Sequence, residues 1–212
     1  MRKSNCIACS LALLLGSLIP GVGAHDDEAR SAGKQEKLGT VNFPVSCNEA
    51  AQKEFNRAMA LFHSFWFTPA IDSFNQVLKH DAECGMAHWG VAFMTMGNPF
   101  AWPANPNAMK VAATAMESAQ RIGAKTERER EYIAALGVML KDSETTEHRA
   151  RAVALEKAMA NLAARYPQDD EAQILYALVL DATALPSDKT FANQLKAAAM
   201  LEPLVKKLPN HP

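Results

Sequence analysis

Residues Ala60–Phe74 read ALFHSFWFTPAIDSF, with a histidine, a tryptophan and four phenylalanines in fifteen positions. At about 100° per residue, Phe62, His63, Phe65, Trp66 and Phe67 point in every direction around one helix. A surface helix needs a single apolar stripe, so this one must be enclosed or must line a groove. The question is which, and whether His63 belongs to a site or to a core.

Outward from this stretch, nearly everything after Cys47 reads as helix. Alanine, leucine, glutamate and lysine dominate, with little β-branched alternation and no hairpin signal. Helices are expected at 48–66, 69–80, 84–97, 106–122, 127–140, 145–165, 169–183 and 190–208. The breaks fall at Thr68-Pro69, Gly97-Asn98-Pro99, Gly123, Tyr166-Pro167 and Leu185-Pro186-Ser187. The fold class is all-α, with short links that make chain neighbours antiparallel.

The helices also repeat. A tetratricopeptide unit of about 34 residues wants a small residue in helix A, an aromatic at the turn and Ala opening helix B. Ala58, Phe67, Ala70, Phe74, Val77 and Leu78 occupy those places, and Ala87, Trp89, Gly90 and Ala92 open the next unit. Pro167 follows Leu155, Met159 and Leu162 as Pro209 follows Ala197, Leu201 and Leu204. The expected architecture is a tetratricopeptide-like, right-handed solenoid over 47–212.

In a solenoid of this kind helix A packs on its own helix B and also lines the concave face. Phe55, Met59, Phe62 and Trp66 recur at helical spacing, and Met86, Trp89, Phe93 and Met96 take equivalent places on the next helix A. With His63 they define an aromatic and methionine-rich groove suited to an amphipathic or extended peptide. The competing reading closes these residues into a core, covered by GNPFAWPANP (97–106) or another part of the chain. All three tryptophans and eight of the nine phenylalanines lie between Phe43 and Trp102, so either reading concentrates on the first half.

The N-terminus differs. Arg2 and Lys3 precede an apolar run from Cys6 to Ile19, a Pro-Gly break and Val22-Gly23-Ala24. This is the pattern of a secretory signal peptide, residues 1–24, cleaved after Ala24; the run is short for a membrane span. Cys9 lies too early for a lipoprotein cleavage site. The polar stretch 25–46 reads as a tether, with a short extended piece at Thr40–Val45. His25 would become the new N-terminus, where amine and imidazole are a possible copper chelate, although a solvated tail is the plainer reading. Cleavage removes two of 22 basic residues and none of 23 acidic ones, leaving a net charge of −3 and no basic surface for nucleic acid. Of four cysteines, Cys47 and Cys84 remain. One structural disulfide is the simplest reading in an exported chain, a redox pair or two free thiols being the others.

The segments KLGTVNFPVSC, FNRAMALFHSFWF, CGMAHWGVAFM and GNPFAWP together resemble a family of secreted bacterial tetratricopeptide-repeat proteins, from about Lys37 to the end. The resemblance implies the repeat fold and a periplasmic or secreted location, not an activity. Members look longer, continuing past the Asn-His-Pro segment, so this chain resembles their N-terminal portion. The last helix still carries an apolar stripe of Leu195, Ala198, Leu201, Leu204 and Val205, where a repeat array wants a polar cap.

Chemistry-bearing motifs are few. His63 and His88 sit on successive A helices and, with Met59, Met86, Met94 or Met96, would make a site for copper or zinc. No pair of histidines has the spacing of a metal motif, and there is no phosphate loop, nucleophile elbow or zincin signature. Thr126–Glu131 and Asp169-Asp170-Glu171 read as charged helix openings on solvated faces. The sequence therefore points to an exported scaffold that binds a protein or peptide partner through the groove, without an enzymatic activity or a cofactor. The metal-binding protein is the alternative.

Overall fold

The computed structural model describes residues 37–212. The expected signal peptide and cleavage site, His25 and the expected tether up to residue 36 lie outside the described residues. Within them the fold is all-α. The helices are α1 (Glu49–His63), α2 (Phe67–His80), α3 (Gly85–Thr95), α4 (Pro106–Ile122), α5 (Glu127–Leu140), α6 (His148–Arg165), α7 (Asp170–Ala182) and α8 (Ala192–Lys207), with a 3₁₀ turn at Pro99–Ala101. Each packs on its chain neighbour; α3 also packs on α1 and α5, and α7 on the 3₁₀ turn. No helix among the described residues is long and apolar enough to cross a membrane.

Local chemistry sets the boundaries. Asn48, Asn105, Thr126 and Asp169 each cap a helix by accepting from a backbone N–H three residues on. A cap of this kind stabilises by about 1 kcal/mol. Gly90 lets the Phe74 ring of α2 come close against α3, since a Cβ there would meet the ring. Cys47 and Cys84 form a disulfide, Cα to Cα 5.3 Å across 37 residues, fastening the approach to α1 to the start of α3.

Residues 37–46 belong to the helical unit rather than to a free tether. Val41 and Phe43 are buried. The Phe43 ring meets Phe55 of α1 at 5.3 Å, Trp89 of α3 at 6.1 Å and Tyr132 of α5 at 5.1 Å. Side chains hold the backbone of this extended piece as they would hold a peptide. Gln52 Nε2 donates to the Phe43 carbonyl, Asn56 Oδ1 accepts from the Phe43 N–H and Gln52 Oε1 from the Val45 N–H. Arg128 donates to the Pro44 carbonyl and lies 4.4 Å from the Phe43 ring centre.

The opening of α5 is correspondingly a solvated face only in part: Thr126, Glu127 and Arg130 are exposed, Arg128 and Glu129 are not. Glu129 is buried and accepts from the Ser46 N–H at 2.7 Å. Arg128 is turned inward by Asp169 at 2.6 Å. Arg128 is thus ion-paired, and Glu129 is satisfied by the Ser46 N–H and the Thr126 hydroxyl, as burial requires. The charged pattern read as surface misses this because it cannot see residues 43–46 arriving from far away in sequence.

Candidate functional site

The HSFWF run is not one helix. α1 ends at His63, three residues earlier than expected, in a Schellman turn: the Trp66 N–H donates to the Leu61 carbonyl and the Phe65 N–H to the Phe62 carbonyl. Phe65 takes the left-handed position, φ 57°, that glycine usually fills. Pro69 falls in the first turn of α2, where its missing N–H costs no hydrogen bond. The corner splits the aromatic run. Phe62 turns into the core, while Phe65 and Phe67 come together edge-on at 6.1 Å, with Phe65 also stacked on Phe100.

Beside this corner lies a cavity of about 390 Å³. One wall is an α7 stripe, Ile174, Ala177 and Leu178; another is the apolar stripe of α8 with Leu201, Leu204 and Val205. Phe65, Phe67 and Phe100 form the side toward the corner. The polar groups in its wall are few: Asp181, and His63 with His211. Glu171 and Asp181 lie ten residues apart on α7, so about 15 Å separates the two polar ends.

At the histidine end three side chains converge from three parts of the chain. His63 Nε2 lies 2.8 Å from Glu171 Oε2, and His211 Nε2 lies 3.0 Å from Glu171 Oε1. The histidine ring centres are 4.5 Å apart. All three side chains are nearly closed to solvent, at 6, 5 and 11 % exposure for His63, Glu171 and His211. Burial alone would raise the Glu171 carboxyl; the hydrogen bonds from His211 and His63, with their charge, outweigh it and hold the group at about 2. Burial would lower His211, but Glu171 and the Pro212 carbonyl raise it above the usual histidine value.

Each member is held from behind. His63 is the last residue of α1, its ring edge-on to Phe62 at 5.2 Å. Glu171 follows Asp169, which Arg128 and Tyr132 grip, and Asp170, which Lys207 pairs. His211 is carried by a C-terminal segment whose Asn210 carbonyl accepts from the Thr40 N–H at 2.7 Å. One donor atom from each of the three lies within 4.8 Å of the other two, a set of two imidazoles and a carboxylate able to ligate a metal ion.

The expected site residues fare differently. Phe55, Met59, Phe62, Met86, Trp89, Phe93 and Met96 are at most 2 % exposed, and of these only Phe62 reaches the wall of the cavity beside the corner. They are core because Phe43 lies across them and Phe62 stacks on Trp89 and meets Phe93. Trp66 alone of that set is exposed, at 48 %. His63 is in the cluster just described, but the structure does not bring His88 into it: His88 stands on α3, where burial and Arg121 lower its pKa. Met59, Met86 and Met96 are likewise enclosed in the core rather than offered to an ion. Sequence reasoning missed Glu171, hidden in an acidic helix opening, and His211, hidden in a segment read only as an end. The signal available was that Glu171 sits at a position where the following α7 pattern, Ala172, Leu175 and Tyr176, is buried.

No protein-family model, curated protein or solved structure matches the chain.

Proposed function

We propose that the protein is an exported helical-repeat scaffold that binds an apolar segment of a protein or peptide partner in the cavity between the α1–α2 corner and α8. The observation that carries this reading is the cavity itself: about 390 Å³, apolar, and rimmed by Phe65, Phe100 and Val205, each at least 40 % exposed. Ligand sites have this size and this lining with a few polar groups, and aromatic side chains are the usual anchors of protein partners. Consecutive helix pairing and the small and aromatic residues at repeat positions support a tetratricopeptide-like, right-handed solenoid. The basic start, apolar run and Ala24 site support a signal peptide. Together with the Cys47–Cys84 disulfide, they favour a periplasmic or secreted location, since disulfides persist in oxidising compartments.

The test is a peptide array of random nine-residue sequences probed with the purified chain and with Leu201→Asp. Selection of peptides rich in Leu, Phe or Trp, lost in Leu201→Asp with an unchanged far-UV circular dichroism spectrum, supports the reading. Selection that survives Leu201→Asp, or none at all, overturns it.

A further inference from the structure

We propose that His63, Glu171 and His211 form a binding site for one divalent transition-metal ion of the zinc class. The inference rests on the donor geometry and not on the partner-binding reading above. Two imidazole nitrogens and a carboxylate oxygen are the donor set of open zinc sites and of other two-histidine, one-carboxylate centres. Calcium and magnesium want six or more oxygens, and soft Cu(I) wants sulfur. Cys47 and Cys84 are bonded to each other and Met59, Met86 and Met96 are enclosed in the core, while Met94 lines the same cavity as His63 and His211.

Bonds of 2.0–2.2 Å in a tetrahedral site put donors roughly 3.4 Å apart. The present spacings, 2.8 and 3.0 Å to the two carboxylate oxygens and at most 4.8 Å across the set, bracket that value. Small side-chain rotations therefore admit an ion between the two Nε2 atoms while Glu171 keeps one oxygen on it. The orientation is already set in part. His211 Nδ1 lies 3.0 Å from the Pro212 carbonyl, which can only accept, so Nδ1 keeps a proton; Nε2 donates to Glu171 in the metal-free chain and would have to give up its proton for the metal to take that place.

The surroundings suit an ion that comes and goes. His63 and His211 stand in the wall of the apolar cavity, so a fourth position would open there. Glu171 and His211 also line a second, more polar cavity of about 1020 Å³, bounded by Thr40, Ser46, Arg128 and Lys207, which gives a wet approach from the other side. The three ligands come from α1, α7 and the C-terminal segment, so the ion would join distant parts of the chain.

The decisive experiment strips the full chain with chelator and titrates it with zinc chloride by calorimetry and with cobalt chloride by absorption. One equivalent per chain is expected, weakened at least tenfold in each of His63→Ala, Glu171→Gln and His211→Ala. Binding should be unchanged in His88→Ala and His25→Ala. Because His211→Ala also frees the C-terminal segment, His211→Cys is the companion: it should restore stoichiometric binding and add a thiolate-to-cobalt charge-transfer band. Absence of stoichiometric zinc overturns the site, as does equal binding in the three alanine and glutamine variants, or failure of His211→Cys to recover what His211→Ala loses.

Discussion

Two aromatic regions of this molecule are built from the same kinds of residue and end in opposite states. On the faces of α1 and α3, Phe55 and Trp89 are sealed, because Phe43 lies against both and Gln52, Asn56 and Arg128 hold the backbone of its segment. At the α1–α2 corner, Phe65, Phe67 and Phe100 border a cavity that the described chain leaves open. Composition does not separate the two. What separates them is whether another stretch of the same chain reaches the surface, and the first region is in effect a peptide groove supplied with its own peptide.

The comparison is broken or sharpened most strongly at the seal. Phe43→Ala and Phe62→Ala should each lower unfolding free energy by about 3–5 kcal/mol, the cost of truncating an enclosed phenylalanine; a denaturant titration finding less than 1 kcal/mol for Phe43 would mean the segment is loosely held. Next, Cys47→Ser with Cys84→Ser should cost about 3–4 kcal/mol through the chain entropy of the 37-residue loop, read from the same titration.

Third comes pH in the metal-free chain. Glu171 is held at about 2 against an ordinary 4.5, so its stabilisation is complete above pH 4.5 and fades as pH falls toward 2. The size is of order 3 kcal/mol. His211 is raised above 6.5, so its share is complete below 6.5 and fades as pH climbs through the elevated value. Thermal melts across pH should show both arms in the parent and neither in Glu171→Gln. Smallest is Trp66→Ala, which at 48 % exposure should cost about 1 kcal/mol or less. A loss as large as that of Phe62→Ala would show that the corner tryptophan is enclosed in solution.

Much of the fold was legible because helix signals are local. The breaks at Gly123, Tyr166-Pro167 and Leu185-Pro186-Ser187 fall between observed helices, and five of the eight helix starts lie within one residue of expectation. The early stop of α1 was not legible, since Phe65 occupies a left-handed position that sequence rules assign to glycine. The candidate metal set was legible only in His63. Its partners stand 108 and 148 residues away, and nothing in the immediate neighbourhood of Asp170-Glu171 or Asn210-His211 records that the two segments meet there. The covering of the aromatic face was hidden for the same reason, since Thr40–Val45 looks like an ordinary extended linker until Phe43 is placed.

The hydrogen bond from Thr40 to Asn210 carries one more consequence. It makes a single amide a gauge of two segments at once. In hydrogen exchange the Thr40 N–H is protected only while residues 208–211 stay docked, so its exchange rate reports the opening of the segment that carries His211. Occupancy at the His63–Glu171–His211 cluster would then be readable at residue 40, on a backbone amide that is not among the three ligands.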